Sequence, residues 1–280
     1  MDAALPAEEK NVSLAIGIFM AAVIAASTVL HHLFPQVLSV PPNDGVNFSG
    51  YLQMFLLDLV PIGIGAVCFY HALGKYGRYG AMMFLGGSFF FTGLAENVWV
   101  LLGRYHLISA FSSQLKDVSG TYYFTRGFFW WGEIPAVICL SWFFIAYACV
   151  HIADVLLPRL SIWVKAALGG FLALSLDLWL DPVQVHPYWQ SWKWISNESI
   201  KLFSIPLSNF AGWFLVIGLF AVAFDRLPRI TARWGVRKGS GLFFLLLIAL
   251  KAAVLTLLMV YGVIAMKYVV PPVNFTLWGV

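Results

Sequence analysis

Seven stretches of about 20 mostly apolar residues dominate this sequence of 280 residues. Each is long enough to cross the hydrocarbon core of a bilayer as an α-helix, which satisfies its own backbone hydrogen bonds. Only 11% of the residues are charged, whereas soluble domains carry about 25%. The sequence therefore predicts an all-α, polytopic membrane bundle of about seven transmembrane helices. The stretches lie near 12–33, 51–73, 80–103, 131–156, 162–181, 206–224 and 241–264.

We expect one integral membrane domain over residues 1–280, with a short polar segment at 1–11. Two longer connections, 104–130 and 182–205, are rich in Trp, Tyr and Phe, which is typical of chain at the membrane–water interface. Basic residues orient the bundle, because cytoplasmic segments carry the excess of Lys and Arg. With the N-terminus inside, ten basic residues face the cytoplasm and six face outward, and the segment 226–238 decides the difference. The prediction is N-in and C-out, and the net charge of +4 reflects topology rather than nucleic-acid binding.

Acidic and amide side chains occur within or at the ends of the predicted membrane spans, where apolar side chains are expected. An ionisable group inside a membrane span costs at least about 2.5 kcal/mol, so it marks a functional site by default. In the predicted orientation these groups reach similar depths near the outer leaflet, although they are far apart in sequence. They are Asp58, Glu96, Glu133, Asp177, Asp181 and Asn209.

Asp177 and Asp181 are four residues apart, so they share one face of the fifth span. Two carboxylates that close in an apolar medium do not both ionise easily, and a carboxyl that keeps its proton can act as a general acid. The alternative is structural: Asp181 ends the helix before Pro182, and Asp177 pairs with a cation.

Glu96 and Asn97 form the other acid–amide pair, and Glu96, Trp99 and Gly103 follow one helical stripe. Asn209 and Trp213 likewise share a face. A hydrogen bond between Glu96 and Asn209 that holds the bundle together is the alternative to a catalytic role.

Aromatic side chains surround these acids in the sequence. Indole faces stabilise cations, although most tryptophans at a membrane interface serve only as anchors. We take Asp58, Asn97 and the neighbouring aromatic residues as candidates for substrate binding. The aromatic candidates are Trp99, Tyr122, Tyr123, Trp179, Trp192, Trp194 and Trp213.

Lys251 lies in the middle of the seventh span, where a retinal Schiff base is one interpretation. Position 247 is Leu rather than an acid, so pairing with Asp58 or another buried acid is favoured. The six histidines form no HxxxH or HxxHH pair, which argues against a membrane di-iron enzyme. No phosphate-binding glycine loop is present either. We expect no metal and no other cofactor.

A family resemblance lies in the motifs that contain the acids, Asn97, Asn209 and the tryptophans described above. In these motifs the chain resembles the membrane carotenoid biosynthesis family, whose characterised members are carotenoid 1,2-hydratases of the bisanhydrobacterioruberin and gamma-carotene type. The resemblance covers about residues 50–225, with three motifs in the right order. One departure is that Glu96 is followed by Asn-Val-Trp instead of Gly-Val; another is that the later segment lacks Pro-Phe-Gly. These departures affect the substrate most. The matching pieces are Ala95-Glu96-Asn97, Asp177-Leu178-Trp179-Leu180-Asp181-Pro182, Trp192-Lys193-Trp194 and the run IPLSNFAGW at 205–213.

The resemblance implies addition of water to a terminal isopropylidene double bond of a linear polyene, in a bacterial or archaeal cytoplasmic membrane. Membrane lipid and a lipophilic carotenoid are the implied partners. The residues fit this chemistry: Glu96, Asp177 or Asp181 would protonate the alkene, tryptophans would shield the tertiary cation, and a second carboxylate with Asn209 would activate water. One rival is a cyclase or isomerase that uses the same acids but excludes water. The other is a non-catalytic transporter, photoreceptor or assembly factor.

Overall fold

The computed structural model describes residues 7–34, 46–104, 122–194 and 198–275. Within these residues, six helices are long and apolar enough to cross a membrane, which confirms the predicted all-α membrane bundle. The chain is thus a multi-pass membrane protein. The helices are α1 (Ala7–Leu33), α2 (Tyr51–Arg104), α3 (Ala136–Leu156), α4 (Ile162–Val185), α5 (Leu207–Trp234) and α6 (Val236–Tyr268).

Helix α2 covers both the second and the third predicted spans, and it is broken at Gly77. Gly77 has φ 69° and ψ 174°, a conformation that essentially only glycine adopts. Asp58 before the break and Asn97 after it both bond to the backbone of the segment 128–133. Because both ends of the 54-residue helix reach the same segment, α2 must double back at Gly77. The N-in orientation stays a prediction.

Two helix boundaries differ from those expected. Helix α4 continues through Pro182 to Val185, so Asp181 does not end it. The basic segment 226–238 is not a loop: α5 extends through it to Trp234 and α6 begins at Val236, with Gly235 at φ 77° between them. Arg and Lys are good helix formers, so a helix can continue past the apolar residues on which the prediction rested.

The described residues also form seven short strands, six between the helices and one after the last helix. Strand β1 pairs with β4 in antiparallel fashion, β2 forms a hairpin with β3, and β5 pairs with both β6 and β7. These pairings satisfy backbone groups close to the bilayer, where unpaired ones are costly. The strands are β1 (Tyr122–Phe124), β2 (Trp130–Trp131), β3 (Ile134–Pro135), β4 (Trp192–Trp194), β5 (Ile200–Leu202), β6 (Ile205–Pro206) and β7 (Val273–Phe275).

One local structure occurs twice. The hairpins β2–β3 and β5–β6 both end in Ile-Pro, and in both the first strand pairs with that Ile and Pro in the same register. Each Pro precedes a helix, α3 or α5, and a Trp follows seven residues later: Trp142 and Trp213. The two indole rings touch, with centroids 4.2 Å apart. Since β1 and β4, which precede the two hairpins, also pair with each other, the units face each other across an approximate two-fold axis.

Helices α4 and α5 pack closely against each other. A Cβ on Gly170 of α4 would lie 2.7 Å from the backbone oxygen of Phe214 on α5, so only glycine fits there. Small residues allow such close approach between membrane helices. The core is largely aromatic, with Phe84, Phe143 and Phe220 fully buried in edge-to-face contact.

Candidate functional site

Asn209 joins the two aspartates of α4. It lies in the first turn of α5, and its Nδ2 donates hydrogen bonds to Asp177 Oδ2 at 2.8 Å and to Asp181 Oδ2 at 2.7 Å. The i, i+4 spacing on α4 places both carboxyl groups on the face that meets α5. The structure therefore brings together three of the four predicted catalytic residues through direct contacts.

The two aspartates differ in their access to the interior of the bundle. Asp181 lines a large cavity, whereas Asp177 does not and is completely buried. Both carboxyl groups bind the same nitrogen atom, so they are close neighbours. Two carboxylate anions that close in an apolar site repel each other, which favours a proton on one of them. Asp177 Oδ1 receives no N–H or hydroxyl bond from the described residues. Among the described residues, the ion pairs of lysine with aspartate involve Asp154 and not Asp177.

Glu96 faces the same cavity from α2. Its Oε1 accepts a hydrogen bond from Trp142 Nε1 at 3.1 Å. The predicted bond to Asn209 is not formed, because both N–H groups of that amide go to the aspartates. Lys251 of α6 lines a small chamber together with Glu96, and Asp58 does not line that chamber. Glu96 is therefore the buried acid that shares a space with the lysine.

The cavity has a volume of about 510 Å³ and mostly apolar walls. Glu96, Asp181 and Asn209 line one part of it. Val60 and Ile64 of α2 and Val183 of α4 line another part, and they are 62%, 46% and 48% exposed on the lipid-facing surface. Part of the cavity wall is therefore formed by residues that also lie on the lipid-facing surface of the bundle.

Most of the predicted aromatic residues line this space. Tyr122, Trp192, Trp194 and Trp213 line the large cavity, and Trp99 lines a smaller chamber beside it. Asp58 also lines the large cavity, and its Oδ2 accepts hydrogen bonds from the backbone N–H groups of residues 128 and 129.

Three predicted substrate-binding residues are not brought to the site. Trp179 is 78% exposed, because a position two residues after Asp177 points to the opposite side of α4. Tyr123 alternates with Tyr122 along β1, so its side chain lies on the other face of the strand. Asn97 instead connects α2 to the β2–β3 hairpin. Its side chain donates to the backbone oxygens of Gly93 and Trp131 and accepts from the N–H of Glu133.

Trp142 is a site residue that was missed. It binds Glu96, packs on Trp213 and lines both the cavity and the chamber. The signal was present in the sequence as the repeated pattern Ile-Pro followed by Trp seven residues after the Pro. Comparing the two occurrences would have placed Trp142 beside Trp213.

Two charged residues hold the loops around the site. The buried Arg126 lines the cavity and donates to the oxygens of Asn47 and Trp189 and to Ser191 Oγ. Burial lowers the pKa of this guanidinium below its usual value. Glu198 accepts hydrogen bonds from the N–H and hydroxyl of Ser208 at the start of α5, and burial raises its pKa.

The chain was also compared with known proteins. No curated protein and no solved structure matches it. The family model described as carotenoid biosynthesis protein matches residues 120–279. This match covers more than half of the sequence, including both hairpin–helix units and the aspartate–asparagine cluster. The chain therefore belongs to the carotenoid biosynthesis protein family.

Proposed function

We propose that this protein is a membrane-embedded hydratase that adds water to a terminal isopropylidene double bond of a linear carotenoid. Family membership supports a role in carotenoid biosynthesis. The single observation that carries the finer proposal is Asn209, which holds two carboxyl groups beside an apolar cavity that reaches the lipid-facing surface. A bacterial or archaeal cytoplasmic membrane is the proposed location.

Asp181 is the proposed proton donor, because its side chain lines the cavity while that of Asp177 does not. In the first step, the carboxyl proton of Asp181 forms a bond to the less substituted alkene carbon. The π bond breaks, and a tertiary cation is left on the other carbon. Asp177 is a positioning residue: the proton that the two carboxyl groups share keeps Asp181 supplied with an acidic hydrogen.

The paired indoles of Trp142 and Trp213 are placed to shield the cation. They line the cavity next to Glu96 and Asn209, and their faces carry the negative part of the ring quadrupole. Aromatic walls in an apolar cavity keep bases away from the cation, so the cation loses a proton less readily.

Glu96 is the proposed base. A water molecule attacks the tertiary carbon, a C–O bond forms, and Glu96 accepts the proton that this water loses. The product is a tertiary alcohol that is one water heavier than the substrate. Transfer of a proton from Glu96 back to Asp181 completes the cycle and restores the initial protonation states of both residues.

The test is co-expression of the protein in a lycopene-producing host. We expect a product heavier by one water. Asp181→Asn and Glu96→Gln should each reduce its formation by about 10²–10⁴-fold, the usual contribution of a general acid or base. Asp177→Asn should leave more activity and shift the pH dependence of the rate, because Asn cannot share a proton. The exposed Asp225→Asn is the matched control and should leave the rate unchanged.

Three results would overturn parts of the proposal. A new carotenoid with unchanged mass would replace hydration by cyclisation or isomerisation with the same acids. Unchanged carotenoids with the wild-type protein would reject this substrate. If Asp181→Asn and Glu96→Gln both keep full activity, the assigned acids are wrong.

A further inference from the structure

A second, smaller chamber of about 50 Å³ adjoins the large cavity. The two spaces share part of their walls, including Glu96, Trp142, Trp194, Asn209 and Trp213. Lys251 lines only the smaller chamber, and Asp181 lines only the larger one. The wall of the chamber therefore includes the proposed base Glu96 but not the proposed proton donor Asp181.

Two side chains at the chamber carry N–H donors that make no hydrogen bond with the described residues. Trp194 Nε1 is buried and makes no hydrogen bond. Lys251 is buried and lies over the ring of Phe91 at 4.9 Å, but it donates no hydrogen bond to any described side chain or backbone oxygen. A lysine carries three N–H donors. Buried donors of this kind are nearly always satisfied, by protein or by ordered water.

The same chamber also offers acceptors. Glu96 uses Oε1 for the indole of Trp142, which leaves Oε2. Asn209 uses its amide hydrogens for the aspartates, and its Oδ1 receives no hydrogen bond from the described residues. A buried water needs two to four polar partners and a cavity of at least about 10–15 Å³. This chamber meets both requirements.

We propose that the small chamber is a water-binding site that supplies the nucleophile of the reaction, with Lys251 and Trp194 as its donors. This inference rests on the proposed hydratase function. The N–H groups of Lys251 and Trp194 hold the water oxygen, while Glu96 and the Asn209 oxygen accept its hydrogens. When the cation forms, the oxygen bonds to the tertiary carbon and one O–H proton passes to Glu96. The water is thus kept beside the base and away from Asp181 until the cation exists.

Substitutions at the chamber should change the product ratio more than the rate of alkene protonation. Lys251→Met removes the charge at similar length, and Gly212→Ala adds a methyl group at the chamber wall, 3.5 Å from Leu258 Cδ1. Each should lower the ratio of hydrated product to double-bond isomer of unchanged mass by about tenfold, the effect of one lost hydrogen bond. Lys267→Met, at the exposed end of the same helix, is the matched control.

The isomer is the expected by-product because a cation without water loses a proton to a nearby base. A fall in total product with an unchanged ratio would show that Lys251 only supports the fold, and would overturn the proposal. Gly212→Ala keeps every polar group, so it still tests the chamber if Lys251→Met does not fold.

X-ray hydroxyl-radical footprinting gives a readout that needs no substrate, since radicals formed from an ordered buried water modify the side chains around it. We expect oxidation of Trp194 and Trp99 in the purified wild-type protein, with a clear loss in Gly212→Ala. Absence of labelling at both tryptophans in the wild type would overturn the water site. Labelling without any hydrated carotenoid in the host would instead retain the water site and reject the hydratase function.

Discussion

The amide of Asn209 determines how α5 meets α4 at the site. Both of its N–H groups are used by carboxyl oxygens, so a slip of one helix along the other would break two hydrogen bonds at once. A buried polar group that loses its partner costs about 1–3 kcal/mol, and more if it is charged. In an apolar bundle, this cost fixes the relative position of the helices more precisely than aliphatic contacts do.

Glu198 should make the stability of the fold depend on pH. Its carboxyl caps α5 through Ser208, the neighbour of Asn209, at 2.9 Å to the N–H and 2.5 Å to the hydroxyl. Burial raises its pKa in the folded protein, so folding favours the protonated form. The contribution to stability is full below the ordinary Glu pKa of about 4.3 and is lost as the pH rises through the raised pKa.

The measurement is the unfolding temperature of the detergent-solubilised protein as a function of pH. We expect Glu198→Gln to flatten the decline that begins above the ordinary Glu pKa of about 4.3, and to lower the unfolding temperature because one acceptor is lost. Glu8→Gln, an exposed glutamate in α1, serves as the control. An identical pH profile for the wild type and Glu198→Gln would contradict this assignment.

At the scale of elements, the break in α2 sets the shape of the bundle. If α2 were continuous, its 54 residues would extend about 80 Å, far longer than a bilayer is thick. The break lets the first half of α2 supply Asp58 and Ile64 to the cavity while the second half supplies Glu96. One backbone conformation at Gly77 therefore brings two walls of the site together.

Gly77 and Gly74 offer a matched pair for testing this break. Neither would meet any atom within 4 Å if a Cβ were added, and only Gly77 has a positive φ. Gly77→Ala should destabilise the protein by about 1–3 kcal/mol through backbone strain. Gly74→Ala should stabilise it by up to about 1 kcal/mol, because Ala is the better helix former. Equilibrium unfolding in mixed micelles measures both, and equal effects would contradict the role of the break.

At the scale of the whole molecule, the site lies where the two hairpin–helix units face each other. One unit supplies Trp142 and the other supplies Asn209 and Trp213, while the acids come from the helices that precede each hairpin. A cavity at such a pseudo-symmetric interface has walls from both halves of the chain, as in many membrane proteins built from repeats. Under the proposed function, an apolar substrate enters through the lipid-facing part of the cavity.

The predicted orientation can be tested by cysteine labelling in intact cells. A membrane-impermeant maleimide should modify His186→Cys from outside, and should modify Arg229→Cys only after the cells are permeabilised. Both positions are exposed, at opposite ends of the bundle. The unsubstituted protein, with its three native cysteines, gives the background. The reverse pattern of labelling would place the site at the cytoplasmic side.

Several features could be predicted because they depend on short-range properties of the chain. The apolar stretches predicted membrane helices, since a backbone in lipid must satisfy its hydrogen bonds within the segment. The four-residue spacing of Asp177 and Asp181 predicted a shared face, which Asn209 confirms. The motif resemblance predicted the family, which the match over 120–279 confirms. The strands could not be predicted, because runs of two or three residues carry no periodicity.

Hydropathy and helical spacing are local properties, and they were sufficient to predict the membrane bundle and the acids and amides in apolar surroundings, while the motifs indicated the family. The packing of the helices was needed to show that Asp181 and not Asp177 lines the cavity, that Trp179 faces outward and that Trp142 joins the site. These outcomes depend on how helices far apart in sequence rotate and pack against each other. That rotation is set by contacts such as Gly170 against α5, which no single segment contains.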